Sequence, residues 1–239
     1  MSADPMTADP PSSEPTGADP GDLDALVRRV DPDRWLSSRF INDATARADV
    51  IALYAFDNEL ARAPRVASNA LLGEIRLTWW REALDEIFEG RPVRRHPTAQ
   101  ALAQVVARHD LALAQLETLI EARYRELDAA AMSEAEVLDW ARDTGGVCAQ
   151  LAARILDPAT EAKMALAGGS AWALGKRLAV APDLRPTFLK VIHAARSACR
   201  GLSVAAFPAV AHAALAGRPA TNDFARRLRL TLAVARGRI

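Results

Sequence analysis

NDATARADVIALYAFDNELARA, residues 42–63, repeats apolar side chains at the three- and four-residue spacing of one helix face. The apolar positions are 50, 51, 53, 54, 56, 60 and 61. No segment of the chain combines sustained apolar–polar alternation with the turn residues of a hairpin. The sequence therefore predicts an all-α fold. The polar end of this stretch, with Asp57, Asn58, Glu59 and Arg62, raises the question of a functional site.

Further helical patterns follow to the end of the chain, and several carry boundary signals. Ser133 with Glu136 three residues later predicts a capping box. Ser68 predicts the start of the next long helix after the opening stretch, and Pro64 predicts the end of that stretch. Together the patterns predict a bundle of about eight helices in a single domain, residues 23–239.

Residues 1–22 differ in composition from the rest of the chain. They repeat Ala-Asp-Pro three times among Ser, Thr and Gly, and they contain five acidic residues and no basic one. Such a segment has almost no apolar surface to bury on folding, so it predicts a disordered acidic, Pro-rich tail.

The composition limits the classes of partner and compartment. The chain of 239 residues has a formal net charge of zero, which does not favour a nucleic-acid partner. Two cysteines form no disulfide framework, and residues 201–217 are too short and too interrupted by Pro208 to predict a membrane span. A cytoplasmic protein is expected, with residues 201–217 buried or adjacent to a membrane.

The C-terminal segment is strongly basic. Against Asp223, it carries six arginines, namely Arg218, Arg226, Arg227, Arg229, Arg236 and Arg238. This pattern fits a solvated helix end, and it also fits contact with anionic lipid or with a protein partner at the membrane surface.

Two groups of charged residues lie within residues 68–90. Glu82, Asp85, Glu86 and Glu89 share one helix face, and the absence of any cation or aromatic residue beside them favours a solvated surface. A second group mixes charges with an aromatic ring and fits either an interior polar patch or a set of surface ion pairs. Its members are Glu74, Arg76, Trp80 and Arg81, of which Trp80 is expected to face a cavity.

Several segments in this order resemble the squalene/phytoene synthase family, whose members join isoprenyl diphosphates head to head. They include "ARADVIALYAFDNELARA", "GEIRLTWWREALDEIFEGRPVRRHPTAQALA", "WARDTGGVCAQLAARIL" and "GGSAWALGKRLAVAP". The resemblance covers roughly residues 30–239. It implies a single-domain helical bundle of the isoprenoid synthase type around a central apolar cavity.

Active members of that family carry two Asp-rich motifs, whose paired carboxylates hold Mg²⁺ on a diphosphate leaving group. The register of the first motif places Ala61 and Arg62 at the expected aspartates of this chain. The place of the second motif holds Asp183 alone, and Glu126 stands about where family members often have Asp. The chain is similar in these respects to a divergent, non-catalytic branch that includes a mitochondrial complex I assembly factor.

The resemblance implies two functions, which stay open at this point beside a third interpretation, a helical scaffold without a ligand. The first is a non-catalytic binding or assembly protein, without catalytic residues or a metal cofactor, supporting a respiratory complex at the inner membrane surface. Its partners would be an isoprenoid or lipid ligand and a subunit of a membrane protein complex. The polar residues of its former active cavity would be Asn58, Glu59, Arg62, Glu74, Arg76, Trp80, Arg81, Glu121 and Arg123.

The second function is an active, Mg²⁺-dependent prenyl transferase acting on farnesyl or geranylgeranyl diphosphate. It would need an unusual set of metal ligands. These would be Asp57, Glu59, Glu121 and Glu126.

Overall fold

A computed structural model describes residues 20–66, 69–218 and 222–239, and these residues form α-helices and short helical turns without a strand. The all-α prediction is thus confirmed. The helices are α1 (Pro20–Val30), α2 (Pro32–Ser38), α3 (Ala44–Val66), α4 (Ala70–Phe88), α5 (Pro97–His109), α6 (Leu113–Tyr124), α7 (Glu134–Ala141), α8 (Val147–Leu156), α9 (Lys163–Arg177), α10 (Arg185–Ala198) and α11 (Asp223–Arg236). The predicted tail, residues 1–22, lies outside the described residues except for the first turn of α1.

Helix α3 is the centre of the bundle. Residues 50–56 are all buried, and the helix packs against α1, α4, α5, α6 and α8. Tyr54, Phe56 and Leu60 are among the largest fully buried side chains. Because α3 is enclosed on nearly every side, any polar residue on it lies either in an interior cavity or at the helix ends.

Of the helix boundaries predicted from the sequence, the start of α7 is confirmed, and the start of α4 and the end of α3 are corrected. Ser133 and Glu136 form the predicted capping box, with hydrogen bonds of 3.3 and 2.7 Å. Helix α4 is capped by Asn69, whose side chain accepts from the backbone N–H of Leu72, so the predicted cap at Ser68 is one residue early. Pro64 does not end α3, which continues to Val66, because a proline near the last turn removes only one backbone donor.

A π-helical turn, Arg142–Gly146, joins α7 to α8 and crosses α9 closely. Here Gly145 meets Gly169 of α9, and a Cβ added at Gly145 would lie 2.5 Å from the carbonyl oxygen of Gly169. The paired glycines of the two segments therefore allow the backbones to approach. This crossing fixes the position of the residues of α9 that face the centre of the bundle.

The segment after α10 is compact and irregular. Residues 207–209 and 211–215 form 3-10 turns, and their Phe207, Pro208 and His212 are buried. The hydroxyl of Ser37 donates to the carbonyl oxygen of Pro208 at 2.6 Å and ties this segment to α2. The helix expected at 201–217, buried or adjacent to a membrane, is thus replaced by turns in which residues 206–213 are buried, and no described helix is long and apolar enough to cross a bilayer.

Candidate functional site

A cavity of about 180 Å³ opens at the centre of the bundle, between α2, α3, α6, α9 and the π turn. Aromatic walls are provided by Trp140 and Trp172. Four basic and three acidic side chains also line it, so the cavity has a small excess of positive charge. These residues are Asp31, Arg34, Asp57, Arg65, Arg123, Glu126 and Lys176.

Asp57 is held between two arginines at the floor of this cavity. Arg34 Nη1 donates to Asp57 Oδ2 at 2.5 Å, and Arg123 Nη2 donates to Asp57 Oδ1 at 2.8 Å. All three side chains are at least nine-tenths buried. We call these residues, from α2, α3 and α6, the Arg34–Asp57–Arg123 triad. Each carboxylate oxygen of Asp57 therefore already accepts a charge-assisted hydrogen bond.

The triad also sets the protonation of Asp57. Burial alone would raise the pKa of this carboxyl group, but the guanidinium groups of Arg123 and Arg34 outweigh burial and lower the pKa to about 2. Asp57 is therefore ionised at neutral pH. Because the two arginines share a single carboxylate, the triad carries a net positive charge that faces the cavity.

Arg34 is further enclosed by aromatic rings. Its guanidinium carbon lies 4.1 Å from the centre of the Trp172 ring and 5.0 Å from that of Tyr54. Lys176, four residues after Trp172, places its Nζ 4.7 Å from the same indole ring. These cation–π contacts hold two positive charges against one wall of the cavity.

Several buried N–H groups around the cavity have no hydrogen-bond partner among the described residues. They are Asn58 Nδ2, Trp172 Nε1, Arg34 Nε and Arg123 Nε. Buried donors are nearly always satisfied in folded proteins, by protein groups, water or ligand. Unpaired donors that line a cavity with excess positive charge suit a ligand that offers acceptor oxygens.

The face of α3 that lines the cavity is formed by residues 57, 58, 61 and 65. Along this face Asp57 supplies the sole carboxylate, Ala61 follows one turn later, and Arg65 follows one turn beyond it. Arg62, the position expected beside Ala61 from the family register, does not line this cavity. After Asp57, the side of α3 that lines the cavity thus continues with Ala61 and then with the basic Arg65, and not with a second carboxylate.

Glu59, Arg62, Arg76 and Trp80 instead line a second pocket of about 300 Å³, together with His96. Trp80 is buried, with its ring 5.2 Å from those of Phe56 and His96, and Arg62 donates to Glu59 at 3.0 Å. The predicted cluster is therefore divided between two pockets, with Asn58 and Arg123 in the first.

The remaining predicted site residues lie at the surface, apart from Glu126. Arg81 forms an ion pair with Glu121, and both side chains are substantially exposed. Glu74 is exposed on α4. Glu126 lies in the first cavity, where its Oε1 accepts from Arg123 Nη1 at 2.7 Å and from Trp140 Nε1 at 2.9 Å. The four metal ligands proposed for the active alternative are thus not brought together, because Glu121 faces solvent and Glu59 the second pocket.

Comparison with known proteins agrees with this architecture. The sequence pattern of the squalene/phytoene synthase family matches residues 27–184, about two thirds of the chain. The chain belongs to the squalene/phytoene synthase family. A crystal structure of a dehydrosqualene synthase in complex with ligand has the same fold, with a TM-score of 0.67 over 91% of this chain and 95% of that chain, at 14% identity.

Sequence relatives within the squalene/phytoene synthase family point to its divergent branch. NADH dehydrogenase (ubiquinone) complex I assembly factor 6 is 32% identical in Bos taurus and 31% identical in Homo sapiens, in each case over 103 residues and 43% of this chain. The Mus musculus protein is 29% identical over 132 residues. The matches cover 30% of the length of the Bos taurus and Homo sapiens proteins and 39% of the Mus musculus protein.

The acidic residues of the cavity do not fit the Mg²⁺ site that squalene/phytoene synthases imply. Asp57 accepts from two guanidinium groups, and Glu126 accepts from Arg123 and an indole N–H. Asp31 caps α2 and lies 3.8 Å from Arg34 and 4.0 Å from Lys176. Within the described residues, no group of three or more histidine, cysteine or acidic side chains is placed to hold a metal ion.

Sequence reasoning included Arg123 but missed two basic residues that other helices bring to the cavity, Arg34 and Lys176. Arg34 lies on the short helix α2, and Lys176 lies on α9, far from Asp57 in sequence. A usable signal existed on α9, where Trp172 and Lys176 are four residues apart and so share a helix face. No comparable local signal assigned Arg34 to the cavity.

Proposed function

We propose that this member of the squalene/phytoene synthase family is a non-catalytic binding and assembly protein that supports respiratory complex I. The observation that carries the proposal is the occupied carboxylate of Asp57. Both of its oxygens accept from arginines, and the same wall of α3 continues with Ala61 and Arg65. A metal-dependent diphosphate site requires free carboxylates, and this cavity offers guanidinium groups in their place.

The cavity suits binding without metal chemistry. Its unpaired N–H donors and its excess of basic side chains favour a ligand with acceptor oxygens, and its two tryptophans favour an apolar portion in the same ligand. An isoprenoid or another lipid with an oxygen-rich head combines the two properties. Bound in this way, the ligand would be held by arginines and lysine alone, with no metal ion to activate a leaving group.

The assembly role rests on the relatives. Proteins named complex I assembly factor 6 match this chain at 31% and 32% identity over 103 residues. A role in the same process gives the chain a subunit of a membrane protein complex as its partner. The protein would act from the cytoplasmic side, peripherally at the inner membrane.

Thermal unfolding tests the loss of metal chemistry. Addition of Mg²⁺ with farnesyl diphosphate should give no Mg²⁺-dependent increase in melting temperature and no squalene- or phytoene-type product. A working site at a ligand concentration 100-fold above Kd would stabilise the protein by about 2.7 kcal/mol, which is roughly 5–10 °C for a chain of this size. A shift that does not require Mg²⁺ is compatible with the proposal.

Two variants provide matched controls for this experiment. Ala61→Asp with Arg65→Asp places two carboxylates four residues apart on the cavity wall and should create a Mg²⁺-dependent shift. Ala61→Asp with Arg62→Asp adds the same charge, but its second carboxylate faces the other pocket, so no such shift is expected. Product formed by the unmodified protein would refute the non-catalytic role and support an active prenyl transferase.

The assembly role requires a separate test in the source organism. Deletion of the gene should lower the amount of assembled complex I in the membrane fraction, as measured by native electrophoresis and NADH oxidation. The levels of isoprenoid products should not change. Reintroducing the chain with Glu121→Ala, a substitution at an exposed ion pair away from both pockets, should restore the complex. Normal complex I after deletion would contradict the assembly role.

A further inference from the structure

Helix α11 has apolar side chains on the face that points away from the protein. Phe224, Leu228 and Leu232 follow one another at four-residue intervals and are 74%, 47% and 39% exposed. The opposite face carries Leu230 and Ala233, which are buried where the helix packs against the turn at 211–215. We call the outer residues Phe224, Leu228 and Leu232 the apolar stripe. Isolated exposed apolar residues are common, but an aligned set on one helix is not explained by packing among the residues that the structure describes.

Arginines border the apolar stripe on both sides. At about 100° per residue, Arg227 projects along one edge of the stripe, and Arg229 and Arg236 project along the other. None of these three arginines forms an ion pair within the described part of the chain. Arg226 differs from them, because it points towards the protein and pairs with Asp33.

A basic pocket of about 280 Å³ lies beside the C-terminal end of α11, between α10 and residues 213–218. Arg185, Arg196 and Arg218 line it with no carboxylate among the lining residues. Arg196 Nε donates to the carbonyl oxygen of Ile239 at 3.2 Å, which connects this pocket to the segment that follows α11. The positive charge of α11 therefore continues onto the adjoining surface.

We propose that α11 docks on an anionic lipid bilayer, with its apolar stripe at the level of the acyl chains. This inference deepens the peripheral membrane position given in the proposed function, whereas ligand binding in the central cavity does not depend on it and can fail or hold separately. A helix that lies in the plane of a bilayer needs an apolar face directed outwards and cations at the boundary of that face. Helix α11 has both features, because its apolar stripe points outwards and arginines lie along the edges of the stripe.

The arrangement distinguishes a bilayer from a protein partner. Arginine side chains can extend sideways from a shallowly buried helix and reach the phosphate oxygens above it, which they bind as planar, bidentate donors. A protein partner for this surface would need carboxylates on both sides of an apolar groove. A bilayer that contains anionic lipid presents phosphates around any inserted side chain, so it can pair with the arginines on both sides of the stripe at once.

Vesicle flotation with the full chain tests the proposal. The protein should float with vesicles of phosphatidylcholine containing about a third of phosphatidylglycerol, and it should remain in solution with phosphatidylcholine alone, because each Arg near an anionic surface favours binding. Raising the salt concentration from about 0.05 to 0.5 M should weaken binding to the anionic vesicles, since ionic screening shortens the range of the attraction.

Three variants separate the contributions to binding. Phe224→Ala with Leu228→Ala, and separately Arg227→Gln with Arg229→Gln, should each weaken binding by about tenfold or more. Leu71→Ala with Ile75→Ala is the matched control, since these side chains on α4 are 62% and 55% exposed and should not affect binding. All the substituted side chains are at the surface or partly exposed, so circular dichroism should show unchanged helix content.

A site-specific probe measures insertion directly. The native cysteines, Cys148 and Cys199, are buried, so a polarity-sensitive thiol label on the variant Phe224→Cys reports from α11 alone. Anionic vesicles should shift its emission to shorter wavelength. The same label on Val204→Cys, at a residue that is 91% exposed, should show no such shift.

Four results of the binding and labelling experiments would overturn the proposal. They are no binding to anionic vesicles, equal binding by the α11 variants, loss of binding in the arginine variant alone, and an unshifted label at position 224. Self-association of the protein that is lost in Phe224→Ala with Leu228→Ala, without any vesicle binding, would assign the stripe to a second copy of the chain and would also overturn it.

Discussion

Replacing Asp57 by Ala should lower the free energy of unfolding by about 3–5 kcal/mol, because removal of one partner leaves buried charges without compensation. In this protein two guanidinium groups, those of Arg34 and Arg123, lose their shared carboxylate at the same time. Arg123 keeps a second ion pair with Glu126 at 2.7 Å. Among the described carboxylates, Arg34 keeps only that of Asp31 at 3.8 Å, so Arg34 should account for most of the loss.

Urea unfolding followed by circular dichroism measures this effect. Arg81→Ala is the matched control, because its ion pair with Glu121 is also between two helices but is exposed, and such pairs contribute about 0–1 kcal/mol. A loss for Asp57→Ala no greater than that for Arg81→Ala would show that the triad is not buried as described.

A second substitution, Asp57→Asn, tests how the stabilisation by Asp57 depends on pH. The pKa of Asp57 is lowered in the folded protein to about 2 from an ordinary value of 3.8, so its contribution is complete above the ordinary pKa. The contribution of ionised Asp57 to the free energy of unfolding is lost as the pH falls through 2. The share of this contribution that is linked to protonation is about 2–3 kcal/mol. The difference in unfolding free energy between the unmodified protein and Asp57→Asn should therefore be constant near neutral pH and shrink between about pH 4 and 2. A difference that grows with acidity would contradict the lowered pKa.

Gly169→Ala should lower the free energy of unfolding by at least about 3 kcal/mol, at the upper end of the cost of overpacking. The added Cβ would lie 2.6 Å from the Cβ of Ala149 and 2.7 Å from the carbonyl carbon of Gly145. Neither atom can rotate away, since one is backbone and the other is attached directly to it. Helix α9 would have to move away from the π turn and from α8, which changes the wall of the central cavity.

Gly201→Ala is the control for a glycine that is crowded only by a flexible side chain. Its Cβ would meet the Sδ of Met164 at 2.5 Å, and a thioether can adopt another rotamer, so the expected cost is below about 1 kcal/mol. Thermal and urea unfolding of both variants should separate them clearly. Similar stabilities for the two would show that α9 has room to shift.

Most of the fold was available from the sequence because it depends on local patterns. The apolar spacing of residues 42–63 predicted the central helix, and the capping box at Ser133 predicted the start of α7. Pro64 was misread, because its effect depends on where in the last turn it falls. The 3-10 turns at 207–215 were also missed, since their burial comes from α2 and α11 rather than from a local period.

The candidate site was harder to predict from the sequence than the fold, because part of it depends on how separate helices pack together. Residues 58, 61 and 65 share one face of α3, and residues 59, 62 and 63 share another. Helical spacing alone is enough to separate these two sets. The pairing of Asp57 with Arg34 could not be found in this way, because it depends on how α2 is placed against α3.

The π turn, Arg142–Gly146, is equivalent to one extra residue within an otherwise continuous helix from Glu134 to Leu156. Deleting one residue there would restore an α-helical turn and leave α7 and α8 in about their present orientation, because a π turn takes up one extra residue locally. The residues within the turn, Gly145 among them, would lose the positions from which they meet α9 and border the cavity. A change of one residue in chain length would therefore alter the cavity wall in a single evolutionary step while the two flanking helices stay in place.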